Sequence, residues 1–197
     1  MLSPYAWTRP ARPACAIDRW LGPGARLLER HEIAVAAPMA VALQAVERLS
    51  LRDVPVVRTL LALRGIPFSA GTTLREFFGT PPFLLLEEDP SREMVFGVVG
   101  PFWQVRGSRV PRIVPSSAAG FAEAARRSGL AAVGNFRVEP GGSGARLWTE
   151  TWVQISGPRA RIAFGAYWLA IGPFSAWIRR MFLRAARARA ETGEVRI

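Results

Sequence analysis

Only a few side chains in this sequence are of types that carry out nucleophilic or acid–base chemistry. The chain of 197 residues has one histidine, His31, and one cysteine, Cys15, and all 26 of its basic residues are arginines. Without lysine, mechanisms that need a Schiff base or a general-base lysine are excluded. One histidine and one cysteine are also too few for a multi-ligand zinc site, a disulfide or a redox pair. We therefore expect neither a metal nor a cofactor.

Three remaining groups of residues are also poor candidates for catalysis. His31 shares a face of the first predicted strand with Glu29, but no nucleophile is positioned beside the pair. The acidic run over 87–89 directly precedes a predicted turn, where charged side chains are ordinary. The glycine-rich segment 141–144 lacks the lysine and the following helix of a phosphate-binding loop. No catalytic residue is predicted.

The net charge of +11 suggests an anionic partner. The arginines are densest near the C-terminus, where we expect them on the solvated face of a helix whose other face is aromatic. No nucleic-acid-binding motif accompanies them, so nucleic acid is not an expected partner. Because the same helix carries Trp177 and Phe182, peripheral association with a membrane surface is one alternative function.

Two segments bear on where the protein is located. The N-terminus lacks the apolar core of a secretory signal. Residues 162–178 carry no charge, but Gly172-Pro173 interrupts this short run, which favours a buried amphipathic helix over a membrane span. We expect a cytoplasmic protein in which Cys15 is a reduced thiol.

The elements that must position the candidate side chains follow from hydrophobic periodicity and turn residues. Residues 118–127 have the pattern of a helix, or of a loop with one helical turn. Residues 66–80 are expected to be a loop that gates a pocket. The other predicted elements before residue 128 are a strand over 28–36, helices over 38–51 and 56–63, a hairpin of strands over 83–88 and 93–99, and a strand over 102–105.

The clearest unit is a second hairpin, with strands over 130–139 and 146–155. Pairing Glu139 with Arg146 predicts two faces. The face expected toward the core carries Ala132, Gly134, Phe136, Val138, Leu147, Thr149, Thr151 and Val153. The opposite face carries Asn135, Arg137, Trp148, Glu150 and Trp152. A slip of one residue would turn Asn135, Arg137 and Glu150 inward, where they would form a buried polar site.

A long helix over 159–191, interrupted near Gly172-Pro173, completes an α+β chain. Its predicted buried row is Phe164, Trp168, Ile171, Phe174, Ile178, Phe182 and Ala185. Three segments, Glu-Ile-Ala-Val-Ala-Ala-Pro over 32–38, Arg-Leu-Trp-Thr-Glu-Thr-Trp-Val over 146–153 and the stretch 167–180, resemble the START-like (SRPBCC) superfamily of helix-grip proteins, most of all a bacterial subgroup. That superfamily includes polyketide cyclases, lipid-transfer domains and the birch-pollen type of plant allergen.

The resemblance covers about residues 28–191. It implies a curved antiparallel sheet wrapped around the long C-terminal helix, with two short helices after the first strand. We therefore expect an extended N-terminal arm over 1–27 and a single helix-grip domain over 28–197.

The resemblance also implies a pocket between sheet and helix. The aromatic residues on pocket-lining elements are Phe96, Trp103, Phe136, Tyr167 and Trp168, and hydroxyls of Thr149, Thr151 or Tyr167 would orient a ligand. The expected function is binding of a hydrophobic small molecule, such as a lipid, a polyketide or an aromatic compound, with no defined reaction. Two alternatives stay open: the rings only fill the core, or a few polar pocket residues serve a cyclase- or dehydratase-like enzyme.

Overall fold

The computed structural model describes residues 14–22, 24–63, 69–101, 115 and 117–193. Within them, the strands are β1 (Arg26–Val35), β2 (Phe83–Asp89), β3 (Glu93–Val99), β4 (Leu130–Gly141) and β5 (Gly144–Ile155). The α-helices are α1 (Met39–Glu47), α2 (Pro55–Leu63), α3 (Leu74–Gly79), α4 (Ala118–Ser128) and α5 (Pro158–Glu191). A short 3-10 helix, Ala16–Trp20, precedes β1.

The strands form one antiparallel sheet in the order β1-β5-β4-β3-β2. The sheet is not closed, because β1 and β2 are its two edges. Glu139 pairs with Arg146, so the predicted register of the β4–β5 hairpin is confirmed. The hairpin turn is tighter than expected, because Gly141 already pairs with Gly144 and Gly142 takes the positive φ of 55° that such a turn requires. An α+β fold with a long C-terminal helix is thus confirmed.

The helices α1, α3 and α5 cover one face of the sheet, which we call the inner face. Phe136 of β4 and Leu147 of β5 are fully buried there, together with Leu43 of α1 and Leu183 of α5. This is the face that the hairpin register assigned to the core. Burial of large apolar side chains from both layers is the main stabilising contribution to this packing.

The opposite face, here the outer face, is covered as well. The 3-10 helix and α4 pack on it, with Ile17 and Phe121 buried against Trp152. The predicted extended arm over 1–27 differs from this arrangement, because residues 16–20 are helical and β1 begins at Arg26 rather than at residue 28. The physical reason is the buried carboxylate of Glu93, which accepts hydrogen bonds from the backbone N–H groups of Ala16 (2.7 Å) and Ile17 (3.3 Å).

The sequence pattern left α4 ambiguous and predicted a loop in place of α3, but both helices have ordinary capping residues. In α4, Ser117 accepts a hydrogen bond from the N–H of Gly120, and Gly129 ends the helix with a φ of 66°. The helical interpretation of 118–127 is therefore confirmed. Residues 74–79, expected within a gating loop, form α3 instead, because Thr73 and Glu76 make a reciprocal capping box. The predicted strand over 102–105 lies outside the described residues.

The C-terminal helix α5 is continuous over 34 residues, so the predicted interruption at Gly172-Pro173 is wrong. Pro173 removes the hydrogen bond to the carbonyl of Leu169, but both residues lie on the exposed side of the helix, where solvent can satisfy that carbonyl. The predicted buried row is wrong at Phe174, which is 53% exposed. No helix in the described part of the chain combines the length and apolar character needed to cross a membrane.

Candidate functional site

A cavity of about 210 Å³ lies between the inner face and α5. Four of the seven predicted pocket residues line it, namely Phe96, Thr151, Tyr167 and Trp168. Trp168, Leu28 and Val153 also line a second cavity of about 310 Å³, which lies at the N-terminal end of α5. The two cavities therefore adjoin each other along shared residues.

Aromatic rings form the wall of the smaller cavity at the α3 side. Phe78 of α3 stacks on Phe96 of β3, with ring centroids 3.6 Å apart and an interplanar angle of 16°. A Cβ atom at Gly134 would lie 2.7 Å from the Phe96 ring, so the glycine lets this ring lie close to β4. Phe136, predicted as a lining residue, is fully buried behind Phe96 and contacts Phe182. This residue supports the wall and does not line the cavity.

One arginine forms the polar end of the cavity. Arg179 of α5 donates hydrogen bonds from Nη1 to Oγ1 of Thr149 (2.7 Å) and from Nη2 to Oγ1 of Thr151 (2.8 Å). Its guanidinium also lies 5.5 Å from the centre of the Phe96 ring and 5.7 Å from that of Phe136, within cation–π distance. The expectation that the C-terminal arginines all lie on the solvated face of the helix is thus wrong at Arg179. The side chain is stabilised inside because hydroxyls and rings surround it.

Glu29 of β1 is the counterion of this arginine. Its Oε1 lies 3.8 Å from Nε of Arg179 and accepts hydrogen bonds from the hydroxyls of Ser175 (2.6 Å) and Thr151 (3.4 Å). Its Oε2 lies 3.2 Å from Nε2 of His31. The prediction that Glu29 and His31 share a strand face is confirmed. A bulge between Leu27 and Glu29 sets the register in which Glu29 pairs with Thr151.

The surroundings of this ion pair shift the pKa values of both groups. Burial of the Glu29 carboxyl raises its pKa, but the hydrogen bond from His31, the charge of Arg179 and the hydrogen bond from Ser175 outweigh burial, so the net pKa lies below its ordinary value. Burial lowers the pKa of Arg179, and the charge of Glu29 opposes that shift. At neutral pH the Glu29 carboxylate and the Arg179 guanidinium therefore form a salt bridge whose charges cancel.

This ion pair predicts a dependence of stability on pH. Because the folded pKa of Glu29 lies below the unfolded one, its contribution is present above the unfolded pKa and is lost as the pH falls through the folded pKa. We expect Glu29→Gln to be less stable than the wild type at pH 7, and the difference to narrow below the ordinary carboxyl range. Urea unfolding of both proteins between pH 7 and pH 3 checks this. A constant difference across that range would contradict the prediction.

A second buried polar cluster lies on the outer face. Nδ2 of Asn135 donates a hydrogen bond to Oε1 of Glu93 (2.6 Å). Oδ1 of Asn135 accepts a hydrogen bond from the backbone N–H of Glu150 (2.8 Å). Glu150 in turn accepts from Nε of Arg30 (2.8 Å) and from Nε1 of Trp152 (3.0 Å). These residues are buried without any slip in register, because the 3-10 helix covers them. Through Glu93 the cluster holds the N-terminal segment on the sheet.

The sequence therefore predicted four of the lining residues, Phe96, Thr151, Tyr167 and Trp168, and missed the other residues of the polar end. Thr149 lies beside the cavity as a partner of Arg179, and Trp103 lies outside the described residues. The missed residues are Glu29, Ser175 and Arg179. A signal existed for two of them, since Ser175 and Arg179 follow Ile171 at steps of four on the inward side of α5. In the described part of the chain, no group of three or more histidine, cysteine or acidic side chains is arranged to hold a metal ion.

Neither the known family models nor the curated proteins include a significant match to this sequence. The cavity and its polar end are therefore the features of the molecule that bear on its function.

Proposed function

We propose that this protein binds a hydrophobic small molecule, such as a lipid, a polyketide or an aromatic compound, between the inner face and α5. The observation that carries the proposal is a cavity with aromatic walls and a single polar end. Pockets of this type gain affinity from burial of apolar area, while a few polar groups fix the orientation of the ligand. The cavity of about 210 Å³ is small, so a longer ligand would extend into the adjoining cavity of about 310 Å³.

The polar end favours a ligand with an uncharged hydrogen-bonding group. Arg179, Thr151 and Ser175 line the cavity there, and Glu29 already neutralises the guanidinium. A carbonyl or hydroxyl oxygen can accept a hydrogen bond from an N–H of Arg179 without adding a buried charge, while the hydroxyls of Thr151 and Ser175 donate theirs to Glu29. A carboxylate would have to approach the ion pair next to Glu29, which repels it. We therefore place neutral oxygenated compounds ahead of free acids.

We also propose that the chain belongs to the START-like helix-grip superfamily. The open antiparallel sheet, the two helices directly after β1 and the long α5 support that assignment. The location of the cavity between sheet and C-terminal helix supports it as well. A fold of this kind does not by itself define a reaction or a ligand.

Filling the cavity should weaken ligand binding while the protein stays folded. Ala132 of β4 lines the cavity, and Ala132→Phe adds a ring to its interior. We expect the affinity for a neutral hydrophobic probe such as N-phenyl-1-naphthylamine to fall on the order of tenfold or more. Titration by fluorescence, together with native mass spectrometry of compounds that copurify, measures this effect.

The matched control is Ala119→Phe, which adds the same ring to the exposed surface of α4 on the outer side of the sheet. This variant should bind the probe like the wild type, and circular dichroism should show both variants folded. Equal affinity of Ala132→Phe and the wild type would contradict the proposal. A wild-type protein that neither binds a probe nor copurifies with a compound would contradict it too.

A cyclase- or dehydratase-like enzyme is the second candidate function. The observation that favours it is the ionisable side chain Arg179 in the lining, backed by the carboxylate of Glu29. Such an enzyme would move a proton at this end of the cavity. A ligand recovered after incubation with unchanged mass and an unchanged NMR spectrum supports the binding function, because ring closure alone would leave the mass the same. Loss of one water from the ligand, abolished by Glu29→Gln, would instead support the enzyme.

A further inference from the structure

The solvent side of α5 carries an exposed apolar stripe. We define this stripe as Ile162, Ala166, Leu169, Pro173 and Trp177, with Phe174 beside it. Ile162 is 74% exposed and Leu169 is 71% exposed. Of the five large hydrophobic side chains that are exposed among the described residues, four lie in or beside the stripe, and the other is Val56 of α2. Exposed apolar side chains are thus concentrated on one helix face rather than scattered singly over the surface.

This face departs from the usual pattern of a helix that packs on a sheet. Such a helix is polar on the side that faces water. Over residues 162–178, α5 carries no charged side chain on either side, and its inward side is already occupied by the core and the cavity. Among the described residues nothing covers the stripe, so packing against those residues does not explain its apolar character.

Arginines lie at both ends of the stripe on the same side of the helix. Arg159 precedes Ile162 by three residues, and Arg180 and Arg184 follow Trp177 at steps of three and four, all exposed. None of the three pairs with a carboxylate in the described part of the chain. The only acidic residue of α5 is Glu191, in its last turn. The solvent side therefore combines an apolar centre with positively charged ends.

We propose that α5 lies along the surface of a membrane rich in anionic lipids, with the exposed apolar stripe in the boundary between headgroups and acyl chains. The stripe spans sixteen residues, or about 24 Å at roughly 1.5 Å per residue. An in-plane helix of this kind binds through its apolar face and through attraction between arginines and anionic headgroups. The sequence pointed to Trp177 and Phe182, but Phe182 is buried against Phe136, so the membrane-facing residues are those of the stripe.

The larger cavity borders this surface. Leu169 belongs to the stripe and also lines the cavity of about 310 Å³, together with Arg161 and Gly165. On a membrane, that cavity would lie next to the lipid. The membrane proposal goes beyond the proposed ligand binding and stands without it, since Leu169 is the one stripe residue that lines the cavity and the three arginines do not line it.

Vesicle flotation with the full chain tests the proposal. Vesicles of phosphatidylcholine alone are compared with vesicles that contain phosphatidylglycerol as well. We expect the wild type to float with the anionic vesicles and Leu169→Glu to bind them on the order of tenfold more weakly. Ile162→Glu is the second variant, with the same expected loss. Val56→Glu is the matched control, since it places the same charge at an exposed apolar residue outside the stripe and should bind like the wild type.

Further vesicle-binding and light-scattering results would support or overturn the membrane proposal. Weaker binding of Arg180→Gln/Arg184→Gln, and of the wild type at high salt, supports the role of the arginines. No binding of the folded wild type to anionic vesicles overturns the proposal, as does equal binding of wild type and Leu169→Glu. A dimer in light scattering that Leu169→Glu converts to a monomer would also overturn it, because a second copy would then cover the stripe.

Discussion

Replacing Arg179 with methionine is expected to lower the free energy of unfolding by about 3–5 kcal/mol, because the change leaves the buried carboxylate of Glu29 without its guanidinium counterion. The side chain of Glu29 is only 7% exposed, so solvent cannot take the place of the guanidinium. The hydroxyls of Thr149 and Thr151 lose their charged donor at the same time. Urea denaturation at pH 7 measures the loss.

Two further variants separate the ion pair from packing effects. In Glu29→Gln/Arg179→Met both charges are gone, so we expect this double variant to be more stable than Arg179→Met alone. Arg75→Met removes an arginine that makes two hydrogen bonds to Glu88 at the surface, and should cost at most about 1 kcal/mol. A loss at Arg179 no larger than that at Arg75 would show that the buried pair does not stabilise the fold.

Replacing Glu93 with alanine is expected to lower the free energy of unfolding by about 3 kcal/mol and to release the N-terminal 3-10 helix from the sheet. The change removes the acceptor for the backbone N–H groups of Ala16 and Ile17 and for the amide of Asn135. Because Asn135 is fully buried, its amide donor would have no partner and no solvent. Cleavage by trypsin after the exposed Arg19 should become faster, in addition to the loss measured by denaturant.

Glu93→Gln serves as the conservative control. The amide oxygen of this glutamine can still accept a hydrogen bond from the backbone N–H groups of the N-terminal segment. Compared with Glu93→Ala, we therefore expect a smaller loss of unfolding free energy and slower cleavage after Arg19. Slow cleavage in Glu93→Ala, equal to that of the wild type, would mean that the apolar packing of Ile17 and Trp20 holds the segment without the carboxylate. The two variants thus distinguish a polar clamp from hydrophobic packing.

The β4–β5 hairpin was predictable because its determinants are local. Alternation of residue type along each strand and a glycine-rich turn fix the register from Glu139 and Arg146 onward. The covering of the outer face was not predictable, because it depends on Glu93 meeting backbone groups 77 residues earlier in the chain. Asn135 and Glu150 therefore looked like surface residues in a correctly registered strand, although both are fully buried.

In the candidate site too, some residues were predictable and others depend on contacts between distant parts of the chain. Aromatic wall residues such as Phe96 and Trp168 were named from a resemblance in fold, and their positions on β3 and α5 place them at the cavity. Arg179 was assigned to the solvent because an isolated guanidinium is costly to bury. Its actual partners include Glu29 of the first strand, and Glu29 also joins Ser175 across 146 residues of chain. Only the folded chain reveals that compensation.

The strand order has a consequence for how the chain is completed during synthesis. β1 is the first strand made, yet its one neighbour in the sheet is β5, the last. Until Ile155 has been made, β1 has no partner along its full length. Because α5 follows still later, the part of the inner face that α5 covers also stays exposed. Pairings between such distant segments form slowly and expose apolar surface in the meantime. A nascent chain that stalls before β5 thus retains an unpaired strand edge, which makes it prone to aggregate or to need a chaperone.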